Sequence, residues 1–216
     1  MPPATRAKLS QDRIVDAAMG LADRDGVESL TMRALAAELG TKPMTMYTHV
    51  AGKEDLLDLM VERVFGEMEL PPEELEWRDA IRTRCRSARA VLVRHSWAVP
   101  LLESRRSPGP ELLRHHEAML ATLDRGGLPL ALMAHGYAIL DSYVYGFAIE
   151  EANLPDQGGE GLAEVAEQMT EVFTSGLYPH MTRLAMEHVA QPGYSFGASF
   201  DVGLDMILDG LAAAAA

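Results

Sequence analysis

Apolar residues recur every three or four positions along almost the whole chain, and this helical period constrains the fold more than any other feature. No segment shows the strict alternation of apolar and polar residues that is typical of a half-buried strand. The chain has 216 residues, of which 48% are hydrophobic and 24% charged, so it can bury a sizeable core. The sequence therefore predicts an all-α globular protein and excludes disordered and collagen-like classes.

Caps and breakers divide the N-terminal part into short helices. Ser10 and Thr31 are predicted N-caps, because each precedes an amphipathic stripe. Gly40 follows the second helix, and Pro43 suits the first turn of a third, short helix that is predicted to end near Val50. Two helices joined by a tight glycine turn form a helix-turn-helix layout. From the layout alone, a small bundle with an accidental tight turn remains the alternative.

Two consecutive prolines, Pro71 and Pro72, interrupt the chain after a fourth helix and mark a predicted boundary. We expect an N-terminal three-helix helix-turn-helix head over residues 1–55, a connecting helix over 56–70, and a larger helical-bundle domain for ligand binding and dimerisation over 71–216. The predicted helices of this body cover 77–97, 99–104, 110–125, 130–153, 162–189 and 195–211, with a loop at 154–160. Pro179 is expected to kink or divide the helix at 162–189.

The charge is distributed unevenly between these parts. The net charge is −13, yet residues 1–55 hold 7 Lys+Arg against 8 Asp+Glu, whereas the remainder holds 12 against 24. The acidic composition therefore does not exclude a nucleic-acid partner for the head. Because one head carries few cations, useful affinity for DNA is predicted to require two heads.

Several classes of protein are disfavoured. The chain has one cysteine, so a disulfide framework and a multi-cysteine metal site are excluded. No apolar signal segment precedes the first helix, which predicts a cytoplasmic location. The most apolar stretch, residues 128–149, contains His135 and Asp141 and is a poor membrane span. No catalytic motif is visible, and Cys85, which lies among arginines, is either a buried or a redox-active thiol. No enzyme activity, cofactor or metal is predicted.

The segment from Leu30 to Met60 resembles the DNA-binding head of the tetracycline-repressor (TetR) family. The matching features are Thr31, Leu35-Ala36, Leu39-Gly40, Tyr47-x-His49-Val50 and Lys53-x-x-Leu56-Leu57. The resemblance is close over residues 10–60 and continues beyond them mainly as helix number and order. It implies a homodimeric transcriptional regulator, most often a repressor, that binds a palindromic double-stranded DNA operator and a small-molecule effector. A helical-bundle enzyme, or a ligand-binding protein without a DNA role, is the alternative.

The same resemblance assigns DNA contacts residue by residue. It implies that Arg33 reaches a base edge, where a bidentate contact to guanine fits. The other implied base-reading residues are Lys42, Pro43, Met44 and Thr45. The positions that match phosphate contacts, which fix the register without reading the sequence, are Thr31, Tyr47, Thr48, His49 and Lys53. For Tyr47, an aromatic brace within the head is the alternative.

Two helices of the body are predicted to pair with a second subunit. The helix predicted at 130–153 is apolar on all sides, and such a helix is normally buried all round. The predicted interface residues are Ala134, Ala138, Ser142, Gly146, Phe196, Phe200, Leu204, Ile207 and Leu211. The aspartates Asp201, Asp205 and Asp209 are expected to face only solvent. The alternative is a monomer that buries the apolar residues of both helices in its own core.

A ligand cavity is expected in the same body, since pockets are mainly apolar with a few polar groups. The predicted lining residues are Arg84, Ala88, Leu92, His95, Leu102, His116, Met119, Met133, Tyr137 and Leu140. For each of them, core packing is the alternative. Leu102 lies where the tetracycline repressor has a histidine that helps to chelate a drug–magnesium complex, so neither tetracycline nor a metal is expected here.

Overall fold

The computed structural model describes residues 8–102, 108–154 and 169–215. Every regular element of these residues is helical, which confirms the all-α prediction. The helices are α1 (Gln11–Asp25), α2 (Met32–Glu38), α3 (Pro43–Met46), α4 (Lys53–Glu67), α5 (Trp77–Arg94), α6 (Val99–Leu102), α7 (Pro110–Arg125), α8 (Leu130–Ala152), α9 (Thr170–Thr174), α10 (Pro179–Leu184) and α11 (Ser199–Ala215). Short 3₁₀ turns cover Val27–Ser29, Ser96–Ala98 and Phe196–Ala198, and a π-helical turn, Ala185–Val189, extends α10.

The predicted caps form in the head. The Ser10 hydroxyl accepts from the Arg13 amide at 3.3 Å, and the Thr31 hydroxyl accepts from the Ala34 amide at 3.1 Å. Gly40 has φ +60°, in the left-handed region, and the next amide, of Thr41, donates back to the carbonyl of Ala36 at 2.9 Å. This arrangement closes α2 and turns the chain sharply into α3, because only glycine adopts that φ without a steric penalty.

Helix α3 is shorter than predicted. It ends at Met46, and the following residues form a tight turn in which the His49 amide donates to the Met46 carbonyl at 2.8 Å. Met46 and Val50 point into the head and are almost completely buried. The turn therefore replaces the last helical residues but keeps both inward anchors.

In the body, α5 packs against α8, α7 packs against both, and α11 packs on α8. Helix α5 ends at Arg94 rather than at Trp97, because His95 leaves the helical conformation. The segment predicted over 162–189, with a kink or division at Pro179, is divided after Thr174: Gly176 takes a positive φ and Pro179 starts a new helix. The start of that segment, most of the loop at 154–160 and the end of the helix at 99–104 lie outside the described residues.

The expectation that three aspartates of α11 face only solvent is wrong. They lie opposite three arginines of α5, and the two helices run antiparallel with the same four-residue spacing, so each aspartate meets one arginine. In two of these pairs, Arg82 Nη2 lies 2.7 Å from Asp205 Oδ1 and Arg86 Nε lies 2.8 Å from Asp201 Oδ1. The three pairs of this ladder are Arg78–Asp209, Arg82–Asp205 and Arg86–Asp201.

Candidate DNA-binding surface and effector cavity

The outer side of α3 is open to solvent. Met44 is 75% exposed and Tyr47 is 46% exposed, whereas Met46 is completely buried. Tyr47 therefore does not serve as a buried brace of the head. The remaining predicted DNA contacts are also accessible: Thr31, Arg33, Lys42, Pro43, Thr45 and Thr48 are exposed, and His49 and Lys53 are half-buried. These residues form a surface that can enter a groove without unfolding the head.

Helix α4 is joined to the head on one side. The Arg63 guanidinium bonds two carboxylates of α1, with Nη2 at 3.0 Å from Asp12 Oδ1 and Nη1 at 2.5 Å from Asp16 Oδ1. The apolar residues Leu56, Leu57 and Met60 of α4 lie in the same core as those of the head. A movement of α4 is therefore transmitted to α1.

The same helix is joined to the body by its neighbouring residue. The Glu62 carboxylate accepts from the amide of Glu111 at 2.8 Å and from that of Leu112 at 3.4 Å, at the first turn of α7. A carboxylate at a helix N-terminus satisfies free amides and interacts favourably with the helix dipole. Gly109 allows this approach, because a Cβ at that position would collide with the Glu62 carboxylate.

An open cavity of about 420 Å³ lies among α4, α6, α7 and α8. Three of the predicted ligand residues line it: Leu102, His116 and Tyr137. The rings of His116 and Tyr137 meet edge to face with centroids 5.0 Å apart. Burial lowers the pKa of His116, so this ring is neutral near pH 7. Burial, together with the charge of Asp141, raises the pKa of Tyr137, which keeps its hydroxyl protonated.

The other predicted ligand residues lie elsewhere. Five of them point into the core between the helices of the body and do not line this cavity: Ala88, Leu92, Met119, Met133 and Leu140. Arg84 is completely buried, with Nη1 at 3.0 Å from Oδ1 of Asp141, so it supports the wall from behind. His95 lies at the junction of head and body, where it bonds Asp23 and Glu67. For these residues, spacing along a helix indicated an inward face but not what that face meets.

Six residues of the cavity wall were not among the predicted ligand contacts: Phe65, Leu112, Ala138, Asp141, Ser142 and Tyr145. Of these, Asp141 carried a sequence signal, because a carboxylate within an apolar helix needs a buried partner. Burial is the largest single influence and would lower the pKa of Arg84, but the charge of Asp141, together with smaller contributions from neighbouring groups, outweighs it, so the pKa lies above the ordinary value. The Nε and Nη2 atoms of Arg84 have no hydrogen-bond partner within the described part of the chain.

His115 lies next to His116 but faces the opposite way. It is completely buried, and among the described residues no hydrogen-bond partner reaches either ring nitrogen. Burial, with a further contribution from the charge of Arg84, lowers the pKa of His115 to about 4. The two histidines therefore cannot act together as a metal pair, and the described residues contain no group of three or more potential ligands that could hold a metal ion.

The stripe predicted as a partner contact on α8 is exposed in the single chain: Ala134, Ala138, Ser142 and Gly146. On α11 the prediction was wrong for three residues, since Phe200, Leu204 and Leu211 are buried in the core of their own chain. Phe196 and Ile207 are half-buried. The ring of Phe200 stacks on that of Tyr143 with centroids 5.3 Å apart, so this face of α11 packs within its own chain. The exposed apolar residues of α11 are instead Val202 and Met206.

The structure also describes the environment of the single cysteine and the apolar character of the helices. Cys85 is completely buried, and burial raises its pKa to about 11, so the sulfur is a protonated core atom. Within residues 8–102, 108–154 and 169–215, no helix combines the length and the apolar character that crossing a bilayer requires.

An exposed short helix after a glycine turn, carried on a larger helical body with a cavity, defines a helix-turn-helix transcriptional regulator. Residues 14–60 match the family of bacterial regulatory proteins named tetR, and residues 70–215 match the C-terminal domain described as tetracyclin repressor-like. The chain therefore belongs to the TetR family of transcriptional regulators.

Individual relatives agree with this placement. The HTH-type transcriptional repressor DrrR1 of Streptomyces coeruleorubidus is 36% identical over 217 residues, which cover 94% of this chain and 77% of the relative. The class A tetracycline repressor of Escherichia coli from transposon 1721 is 27% identical over 208 residues, or 95% and 91% of the two chains. The Streptomyces coelicolor TetR-family protein ActR, solved with actinorhodin, superposes with a TM-score of 0.76 at 33% identity and covers 97% and 99%.

Proposed function

We propose that the protein is a repressor that binds a palindromic operator as a homodimer in the cytoplasm and is released by a small molecule bound in the cavity. One observation carries this proposal. Phe65 of α4 lies in the cavity wall, and Arg63 of the same helix bonds the first helix of the head. The effector site and the DNA-binding head therefore share one rigid element. Membership of this family does not favour the alternative of a helical-bundle enzyme.

The DNA contacts follow from the exposed surface of the head. Arg33 is proposed to read a guanine, and Lys42, Pro43, Met44 and Thr45 to contact other base edges, with Met44 able to touch a thymine methyl. The proposed phosphate contacts are Thr31, Tyr47, Thr48, His49 and Lys53. Two heads would meet half-sites about 34–36 Å apart, or a multiple of that distance.

The second subunit is proposed to pack on the exposed stripe of α8 and on the exposed edge of α11. Val202 is 57% exposed and Met206 is 70% exposed, and both lie one turn apart on α11. Ala138 and Ser142 are exposed in the single chain and also line the cavity. A partner on this face would thus cover one side of the cavity, so dimerisation and effector binding would be linked.

The effector is proposed to be a small, uncharged aromatic molecule. Four aromatic side chains line the cavity, and the Asp141 charge there is balanced by Arg84 behind it. Its volume, about 420 Å³, is in the range that accommodates a drug-sized molecule. The relative ActR was solved in complex with a small molecule, actinorhodin. The tetracycline–magnesium complex is not proposed, because Leu102 offers no ligand atom at the position of the chelating histidine.

The proposed mechanism is thermodynamic linkage between the two sites. A ligand against Phe65 would favour a position of α4 that separates the heads differently and mismatches them to adjacent half-sites. A coupling free energy of about 1–3 kcal/mol would lower operator affinity roughly 5- to 150-fold.

The first test selects bound sequences from random duplexes with the purified protein and then screens aromatic compounds for release. Arg33→Ala should relax the preference at one base position. Lys53→Ala should instead weaken binding to all sequences alike and reduce the slope of log affinity against log salt concentration by about one. Arg125→Ala, which removes an exposed positive charge from the body, is the control and should change neither property. Enrichment of no sequence at all would reject operator binding.

A further inference from the structure

His95 was predicted to contact a ligand, but the structure places it between two carboxylates at the junction of head and body. It follows α5 directly and is only 7% exposed. Its Nδ1 lies 2.7 Å from Oδ1 of Asp23, in the last turn of α1, and its Nε2 lies 3.1 Å from Oε2 of Glu67, the last residue of α4. One ring thus joins the head, the connecting helix and the body.

The protonation state of the ring follows from its partners. Carboxylates only accept hydrogen bonds, and a neutral imidazole donates from one nitrogen while the other carries a lone pair. Only the imidazolium donates from both nitrogens and satisfies Asp23 and Glu67 together. In the neutral form, one carboxylate would face a lone pair at hydrogen-bond distance. The geometry therefore fits the protonated ring.

The neighbours of His95 complete the cluster. The Trp97 indole N–H donates to the same oxygen of Asp23 at 2.5 Å, and Arg94 Nη2 donates to Glu67 at 2.8 Å. Burial raises the pKa of Glu67, but hydrogen bonds from Arg94 and His95 outweigh this and hold it below its usual range. Glu28 is a further charged group nearby, since it lines the groove that Asp23 and Trp97 also line.

We propose that His95 is a positioning residue for operator binding, a proton-dependent latch that fixes α1 of the head against α4 and the body. This inference rests on the proposed function, because it concerns the orientation of a head that binds DNA. Arg63 of α4 also bonds Asp12 and Asp16 of α1, and that tie links two elements, the connecting helix and the head. The buried ring is the tie that connects three elements at once.

The latch has a defined pH dependence. Loss of the proton removes one of the two hydrogen bonds and leaves two carboxylates without the positive charge between them. The head then gains freedom that it must lose again on DNA, so operator affinity is lower when the ring has lost its proton than when it carries it.

The first measurement needs no DNA. Trp97 becomes the single tryptophan in a Trp77→Phe background, and its ring lies 6.0 Å from that of His95. A protonated imidazole quenches a neighbouring indole, so Trp97 fluorescence should rise when the ring loses its proton as the pH is raised. His95→Gln should abolish this titration, and His180→Gln, which replaces an exposed histidine of α10, should leave it unchanged. A titration that persists in His95→Gln would overturn the latch.

The second measurement is operator affinity against pH at constant salt for the full-length protein, using a selected duplex. Between pH 6 and pH 8 the wild type should lose about 5- to 20-fold more affinity than His95→Gln, the size expected for one hydrogen bond between the buried ring and a partly exposed carboxylate. Every variant retains His49, so any contribution of that residue to the pH profile cancels in the comparison. Asp23→Asn, which removes one carboxylate and keeps the ring, should also flatten the profile.

Three results separate the possible failures. Identical pH profiles for the wild type, His95→Gln and Asp23→Asn would overturn the positioning role. Tighter operator binding by His95→Gln at pH 6 would do the same, because it would show that the latch holds the head in an unsuitable orientation. If no duplex is bound at any pH, the proposed function fails, and the Trp97 titration alone decides whether the proton holds the head to the body.

Discussion

The buried pair of Arg84 and Asp141 makes a demanding prediction about stability. Arg84 is completely buried, and Asp141, on α8, is the partner that offsets its charge. The substitution Asp141→Ala leaves the guanidinium buried and unpaired. Breaking a buried pair by removing one partner costs about 3–5 kcal/mol of unfolding free energy, because an uncompensated charge remains in the core.

This magnitude converts into a measurable change in melting temperature. For a chain of this size, 1 kcal/mol shifts the melting temperature by about 2–4 °C, so Asp141→Ala should melt about 6–20 °C lower. Thermal unfolding is followed by far-UV circular dichroism at one fixed protein concentration, since association of subunits makes the melting temperature depend on concentration. Operator affinity at 20 °C provides a check that the variant is folded before heating.

Two further variants isolate the cause. Asp201→Ala breaks the exposed pair with Arg86 and should cost about 0–1 kcal/mol. The double variant Arg84→Met/Asp141→Leu removes both charges and should recover most of the lost stability, because a well-packed apolar pair replaces a buried ion pair at little cost. The reasoning is refuted if Asp141→Ala is no worse than Asp201→Ala, or if the double variant is as unstable as the single one.

Three other predictions concern association, acid stability and reactivity. Met206→Glu should shift the protein from dimer to monomer in light scattering, whereas Met186→Glu, at another exposed methionine outside the proposed face, should not. The pKa of His115 is about 4 in the folded chain, below its ordinary value of 6.5, so the unfolded chain binds more protons between these values. Stability should be complete above pH 6.5 and fall by about 3 kcal/mol as the pH drops to about 4, a loss absent from His115→Phe when both proteins are unfolded in urea. Cys85 should resist a maleimide at pH 7.5 until denaturant is added, because its pKa is about 11 and it is buried; rapid labelling of the native protein would contradict this.

The head could be predicted from the sequence because its signals are local. A hydroxyl before a stripe, as at Ser10 and Thr31, and a glycine followed three residues later by a proline, as at Gly40 and Pro43, act within a single turn of chain. Each of these devices forms in the structure as the spacing indicates. Such features need no knowledge of what packs against them.

The body was less predictable because its contacts are between distant segments. Helix α8 is apolar on all sides, so periodicity could not tell which face meets the core, the cavity or a partner. On α11 the bulky stripe with Phe200 was assigned to a partner, although bulk is equally suited to the chain's own core. His95 resembled a ligand contact along α5, yet its partners come from α1 and α4. The matched spacing of arginines on α5 and aspartates on α11 was a readable signal that was not used.

The ladder between α5 and α11 has a geometric consequence of its own. Its rungs repeat every four residues, which is about 6 Å along a helix, so a slide of α11 by one rung would keep two of the three ion pairs. The charges thus specify the direction of α11 but not its longitudinal position. That position depends on Phe200, held between the rings of Tyr143 and Phe147 and beneath the guanidinium of Arg89. One aromatic wedge therefore sets how far along the molecule Val202 and Met206 are presented to a second subunit.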